Sequence, residues 1–312
     1  MIVSDYTVPA RIMQAEEAAD MPTAIPEKYS NISLAGLKRI GRGGKADVYR
    51  YDDDLVLKVY RNGTAPEEIE RENALARTAL IAGVPTAISF GSARTSDGRF
   101  GSLFEMIDSE SLSEQIADDP AHVADYASVM ADIARTIHRI DGSALGLPDG
   151  MVQIYRWIRE GIGRADPELA GHYTAFIESV PRTATLIHGD LHAGNIMRQR
   201  KEYLLIDMDS LAVCHPILEL GALHLCYIAY GEIDPEEAEA FLGCSAKTAS
   251  DFFEAFLRAY LKTCDESLLN RVRGAAALIG YMRAFYKAKT DAGRAHCLAE
   301  IRGILPEFSN LK

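Results

Sequence analysis

The stretch LIHGDLHAGNIM, residues 186–197, gathers His188, Asp190, His192 and Asn195 behind a short apolar run. Such side chains can bind a metal, take a proton or hold a phosphate-bound cation. In extended backbone alternate residues share a face, so His188, Asp190 and His192 would point the same way and could hold zinc or iron, as in a metallohydrolase. That assignment leaves Asn195 without a role. A second one uses more of the chain. Asp190 takes the proton of an attacking hydroxyl, and Asn195 supplies an oxygen for magnesium held against nucleotide phosphates. The second magnesium ligand is Asp207 in LLIDMD, reached after a loop, a reversal and a strand.

A phosphate site needs support upstream. IGRGGKADVY sets Gly41, Gly43 and Gly44 between apolar runs, where backbone can bend tightly and bring its amides to an anion without side chains in the way. A sharp hairpin is the ordinary meaning of such a cluster. Lys58 lies in LVLKVY, apolar on both alternating faces, so its ammonium requires an anion nearby. In the helical pattern that follows, Ile69, Glu72, Ala76, Ala79, Leu80 and Gly83 share one stripe, which turns Glu72 inward as the counter-ion. Taken alone, a plain ion pair accounts for both. Gly44, Lys58 and Glu72 nevertheless follow at equal intervals, and together they describe a phosphate cradle with its lysine and the acid that orients it.

The elements that must position these residues fall into two parts. Residues 1–107 are strand-rich and include an extension over 1–30 that lacks a sustained period. VYRYDDDLVLKVY is two short strands around an acidic turn, and Asp97-Gly98 marks a second hairpin. One helix interrupts them; its expected start is a capping box of Thr64 and Glu67 with Pro66 in the first turn, and Gly83 closes it. Residues 108–312 are mainly helical, as in HVADYASVMADIARTIHRI, and in long patterns over 151–180 and 216–304. The fold class is α+β, a small sheet lobe followed by a larger helical one.

Bulk properties exclude several functions. A chain of 312 residues that is 48% apolar can bury a full core. Lys and Arg number 33 against 45 Asp and Glu, giving a net charge of −12, so a nucleic-acid partner is not expected. The acidic surface suits a cationic acceptor, although solubility alone accounts for it. The 5 cysteines are scattered without CxxC spacing and read as reduced thiols. No signal peptide is visible, and the longest apolar stretch, GALHLCYIAYG, is far short of the roughly 20 residues a membrane span requires. A cytoplasmic protein without a membrane partner is expected; nothing marks its oligomeric state.

HGDLHAGN followed by LLIDMD, with IGRGGKADVY, VLKVY and EREN upstream, resembles the aminoglycoside phosphotransferase and choline kinase superfamily, from about 37 to 225. These are small-molecule kinases that share the bilobal protein-kinase fold. The resemblance implies Asp190 as catalytic base, Asn195 and Asp207 as magnesium ligands, Lys58 as the lysine on the α- and β-phosphates, and Glu72 as its partner. It further implies ATP as donor, with GTP an open alternative, and a nucleotide base held by backbone groups of Glu105, Met106 and Ile107. The acceptor is a hydroxyl of a small molecule, aminoglycoside-, choline- or sugar-like. Only a short segment separates Asp207 from Pro216 and no APE-like anchor follows, which argues against a serine/threonine protein kinase. A nucleotide-binding protein without turnover would have no need of Asp190. Asp209 reads either as an additional metal-side carboxylate or, by preference, as a solvated turn residue, and His188 reads as a brace for the loop. His192 serves either a phosphate or the structure. His215 and Glu219 stand where relatives commonly carry a supporting aspartate. Trp157 is a candidate for the acceptor pocket, while His138, Tyr281 and Phe285 read as packing residues.

Overall fold

The structure is a computed structural model that describes residues 25–107 and 110–308. Most of the expected extension, and Asp108 of the connector, lie outside these residues. Alternating apolar residues build a 5-stranded antiparallel sheet from β1 (Lys38–Arg42), β2 (Ala46–Arg50), β3 (Leu55–Tyr60), β4 (Ser89–Arg94) and β5 (Phe100–Glu105), in the order β1-β2-β3-β5-β4. Leu57, Val59, Ala93 and Leu103 point to one face and bury Tyr29 and Ile32 against it. Lys58 therefore points to the other face, level with Ser102 across β5. Gly101 permits that approach, because a Cβ there would lie 2.9 Å from the carbonyl oxygen of Lys58.

That second face is covered by α1 (Pro66–Ile81), whose buried stripe includes Ile69, Glu72, Asn73, Ala76 and Leu80. Asn73 ties it to the sheet, donating to Ser92 Oγ at 3.0 Å and accepting from Ser89 Oγ at 3.0 Å. The expected capping box does not form. Ala65 is the N-cap with no side-chain hydrogen bond, and the Thr64 hydroxyl instead donates to the Arg61 carbonyl at 3.0 Å. Pro66 opens the helix, and with its ring in the first turn the cap falls one residue later than Thr64. Gly83, at φ 89°, ends the segment as expected.

The helical part contains α2 (Leu112–Asp118), α3 (Val123–Ile137), α4 (Gly150–Trp157) and α5 (Pro167–Ser179). The short strand β6 (Leu186–Ile187) follows, then the hairpin β7 (Ile196–Gln199) and β8 (Glu202–Leu205), and β9 (Ala212–Val213), which pairs with β6. The long pattern after 216 resolves into α6 (Ile217–His224), α7 (Pro235–Leu242), α8 (Ala246–Leu261), α9 (Glu266–Lys287) and α10 (Asp291–Ile304). Phe252, Phe253 and Phe256 of α8 are fully buried, as are Met130 and Ile137 of α3. Gly221 lets α6 approach α9 closely, since a Cβ there would meet Ile279 at 2.3 Å.

The chain groups into two compact units. Met197–Asp209 joins the sheet unit, so the division does not run at one point near residue 107. The physical reason is local. Leu205 bridges to Thr86, and Leu204 packs with Ala87 and Ile107, carrying Asp207 into the sheet unit. The architecture is the expected α+β class, an antiparallel-sheet unit and a larger helical one.

Candidate active site

In the sheet unit, β3 and α1 bring together the charges that the sequence places on buried positions. Lys58 Nζ lies 2.5 Å from Glu72 Oε1 and 3.0 Å from Asp207 Oδ1. Tyr60 donates to Glu72 Oε2 at 2.9 Å, so both carboxylate oxygens of Glu72 are engaged. Burial works against the Lys58 cation, yet the carboxylates of Asp207 and Glu72 outweigh it and hold its pKa above the ordinary lysine value. Burial raises the Glu72 carboxyl against the pull of Lys58. Two carboxylates around one ammonium keep Lys58 charged.

Asp207 follows β8 with φ 64°, the left-handed region that a residue with a Cβ rarely adopts. Its backbone is thus held in a conformation that tertiary structure must enforce. Asp209, two residues on, forms an ion pair with Lys45 of the glycine hairpin. It is not the solvated turn residue expected, because its side chain is only 16% exposed. One carboxylate oxygen from each of Glu72, Asp207 and Asp209 lies within 4.8 Å of the others.

The hairpin between β1 and β2 holds Gly41, Gly43 and Gly44, none of which has a positive φ. Their use is space. A Cβ on Gly43 would lie 3.3 Å from the Ala46 carbonyl and one on Gly41 3.3 Å from Val48 Cβ. Arg61, just past β3, anchors this hairpin by donating to the Gly43 carbonyl at 3.0 Å and to Asp47 Oδ2 at 3.1 Å. At the connector, the Glu105 amide donates to the Ile88 carbonyl at 2.9 Å and the Met106 amide to the Asp54 carbonyl at 2.7 Å. Of the backbone edge expected to meet a base, those two donors are committed to the fold.

The helical unit holds the second group. The loop after β6 is anchored by Glu219, in the first turn of α6 and fully buried. Its carboxylate accepts from the amides of His188 at 2.6 Å and Gly189 at 3.0 Å, and His138 Nε2 stands 3.7 Å away. Burial would raise the Glu219 pKa, but His138, His188 and the amide donors hold it below the usual carboxylate range. Gly189 has φ 81°, and a Cβ there would lie 2.3 Å from the Ser210 carbonyl. This is a position only glycine fits.

Beyond that bend, Asp190 projects its carboxylate to Arg283 of α9, whose Nη2 donates to Oδ1 at 2.9 Å. Burial raises the Asp190 pKa, and Arg283, with His192, Lys287 and His188, brings it below the ordinary value. Asn195 Nδ2 donates to the Asp190 carbonyl at 3.0 Å, which commits the amide nitrogen to the loop. His188 is buried and its Nδ1 accepts from the Asp190 amide at 3.3 Å. His192 Nδ1 accepts from the Gly194 amide at 3.1 Å, and its ring lies against Phe241 at 4.9 Å.

The metallohydrolase arrangement is therefore corrected. The run is bent at Gly189, and among the described residues no group of metal-ligand side chains includes His188, Asp190 and His192. Both histidines serve the loop's own backbone. Sequence reasoning missed Arg283, Lys45 and Arg61 and left Glu219 undecided. Arg283 had a readable signal in IGYMRAFYK, a charge inside an apolar helical stretch, of the same kind that exposed Lys58.

A lysine between two carboxylates in a sheet unit, and an HGDLHAGN loop held by a buried glutamate in a helical one, define a phosphotransferase that acts on a hydroxyl acceptor. The chain belongs to the phosphotransferase enzyme family, whose sequence profile matches residues 36–260. A search of curated proteins returns no significant match. Among solved structures, the chain is similar to the streptomycin–ATP–APH(2")-IIa ternary complex, with TM-score 0.55, 16% identity and 99% of each chain covered. It is also similar to a choline/ethanolamine kinase family protein from Mesorhizobium loti, with TM-score 0.52, 19% identity and 96% and 97% of the two chains covered. The GDP complex of aminoglycoside 2'-phosphotransferase-IIIa aligns with TM-score 0.53, 14% identity and 96% and 97% coverage. These likenesses show the fold, which is that of the protein-kinase-like small-molecule kinases.

The Glu219 anchor has a pH signature. A carboxyl whose folded pKa is depressed contributes stability that is present above its unfolded value and is lost as pH falls through the folded one. Replacing Glu219 by Gln is expected to destabilise the protein by about 2–4 kcal/mol near neutral pH, since one amide donor then faces an NH2 group. Below the ordinary glutamate range the gap between variant and wild type should narrow. Chemical denaturation at a series of pH values measures both; a gap independent of pH would remove the carboxylate's charge from the account.

Proposed function

We propose that this phosphotransferase moves the γ-phosphoryl group of ATP to a hydroxyl of a small molecule. The observation that carries the reading is Lys58, a cation held ready for phosphate by Glu72 and Asp207 on a strand beside the glycine hairpin. Lys58 neutralises the α- and β-phosphates, and the glycine hairpin of Gly41, Gly43 and Gly44 covers them, the Gly43 amide itself being spent on the Ala46 carbonyl at 2.8 Å. Ile107 supplies the base-binding donor, because Glu105 and Met106 have spent theirs.

In the helical unit Asp190 is the base. The acceptor oxygen bonds to the γ-phosphorus as the bond to the β–γ bridging oxygen breaks, ADP departs with that electron pair, and the hydroxyl proton passes to the Asp190 carboxylate. The chain's work is positioning and charge neutralisation, which suits a reaction with little covalent chemistry for the protein to do.

The residues fit a magnesium ion. Asp207 contributes a carboxylate and Asn195 the amide oxygen left over from its bond to the loop, an all-oxygen donor set of the kind magnesium prefers. When bound, the ion would neutralise charge on the transferring phosphate. The donor is ATP or GTP, as the ATP and GDP complexes among the similar structures suggest. The acceptor is an alcohol of the size of an aminoglycoside, an amino alcohol or a sugar. A short tether between Asp207 and α6 leaves no segment for docking a peptide. Among the described residues no helix is long and apolar enough to cross a membrane. We place the protein in the cytoplasm, where nucleotides are abundant and its free cysteines stay reduced.

Asp190→Asn should retain Mg-nucleotide affinity while acceptor-dependent turnover falls by about 10²- to 10⁴-fold; unchanged turnover removes Asp190 from the reaction. Asp207→Asn is expected to weaken nucleotide binding in magnesium and to leave the weaker metal-free binding nearly as it was. Calorimetric titration with and without EDTA tests this, and equal affinities in both variants would refute the metal role. A panel of alcohols screened for acceptor-dependent ADP release tests the reaction as a whole.

A further inference from the structure

We propose that Arg283 is the positioning residue for the Asp190 base: it fixes which carboxylate oxygen receives the acceptor's proton. The proposal rests on the phosphotransfer reading above and adds to it a residue from a helix far along the chain.

Arg283 bridges two successive residues of the loop. Nη1 donates to the Gly189 carbonyl at 2.9 Å and Nη2 to Asp190 Oδ1 at 2.9 Å. A planar guanidinium that grips a backbone oxygen and a carboxylate oxygen at once sets the rotation of the Asp190 side chain about both of its torsions. With Oδ1 engaged by Arg283, Oδ2 is the oxygen left to receive the proton. Lysine, a point charge on a flexible stem, cannot hold both partners in one geometry.

The arginine is itself immobilised. It is only 9% exposed, its neighbours Met282, Ala284 and Phe285 on α9 are buried, and its guanidinium carbon lies 5.5 Å from the centre of the Trp157 ring. Fixing the loop alone would not require it, because Glu219 already ties the His188 and Gly189 amides and Asn195 ties the Asp190 carbonyl. What those contacts leave undetermined is the Asp190 carboxylate. Arg283 makes a direct ion pair with it, Nη2 to Oδ1 at 2.9 Å. Burying a guanidinium is unfavourable without an anion, and here the anion is the base. Orientation within a fraction of an ångström decides rates when the reacting atoms must meet in line.

The test uses the full-length protein with Mg-ATP and an acceptor identified from the alcohol panel, together with slow ATP hydrolysis, in which water takes the acceptor's place. In Arg283→Ala, kcat should fall by about 10²-fold while nucleotide affinity, measured without acceptor, changes by less than about twofold. Added guanidinium ion should restore kcat about tenfold, and urea should not. Arg283→Lys should fall between the two, keeping the charge and losing the bridge. A structural role alone would show as a lowered melting temperature with no guanidinium rescue. Arg283→Ala retaining kcat to within about threefold, or a loss that guanidinium does not relieve, overturns the proposal. Should Arg283→Ala fail to fold, Arg283→Lys decides: reduced kcat at unchanged nucleotide KM supports it, and wild-type kcat overturns it. Wild-type protein that neither transfers nor hydrolyses ATP would sink the phosphotransfer reading itself; active wild type with indifferent Arg283 variants sinks this inference alone.

Discussion

The arrangement turns on an ammonium largely withdrawn from water. Lys58 emerges from the middle of a sheet onto a face covered by a helix, where burial opposes its charge. Only carboxylates make that position tolerable, and the fold supplies one from α1 and one from the end of β8. The consequence reaches outward. Glu72 must face inward, so α1 must pack with that stripe against the sheet. Asp207 must return to the sheet unit from a distant part of the chain, so Met197–Asp209 is grafted onto it through Leu204, Leu205 and Thr86. The left-handed backbone of Asp207 is the local strain of that delivery.

The helical unit solves the same problem with opposite sign. Glu219 is fully buried and made tolerable by amides and a nearby histidine; the buried Arg283 is made tolerable by the half-buried Asp190. Buried ion pairs contribute little net stability, because desolvation offsets the attraction. Their geometric demand is the more useful property. A buried charge whose partner is removed is strongly unfavourable, so each pair restricts the backbone to the one arrangement that keeps both partners together. Here the restricted backbone is the glycine hairpin, the strand holding Lys58 and the loop holding Asp190.

Lys58 and Glu72 were legible because each broke the period of its element: a charge on a doubly apolar strand and another on an apolar helical stripe. Such violations are local and need no knowledge of the fold. Thr64 and Glu67 show the converse, a correct local pattern defeated by one residue, since Pro66 opens the helix and shifts the cap to Ala65. Asp209 and Lys45 were not legible as a pair because nothing in either neighbourhood points to the other. Arg283 carried the same kind of signal as Lys58. A long helix, however, offers many packing explanations for one charge, and the partner of Arg283 lies on a loop of irregular geometry.

The histidines show most sharply how far alternation can be carried. Reading His188, Asp190 and His192 as one face assumes extended backbone, and one residue between them cancels the assumption. Gly189 sits at φ 81° with no room for a Cβ beside Ser210, and its bend turns His188 inward to the Asp190 amide while sending the Asp190 carboxylate toward α9. Glycine at that position is what separates a row of side chains on one face from a carboxylate turned toward α9. The same bend sets the Gly189 carbonyl beside the Asp190 carboxylate, and so creates the paired acceptors that a single guanidinium can grip. A left-handed residue in the loop and a buried arginine in the helix are two halves of one device. Glu219 and Ser210 hold the bend, the bend sets two acceptors side by side, and the buried arginine finds in them the anion and the carbonyl it needs.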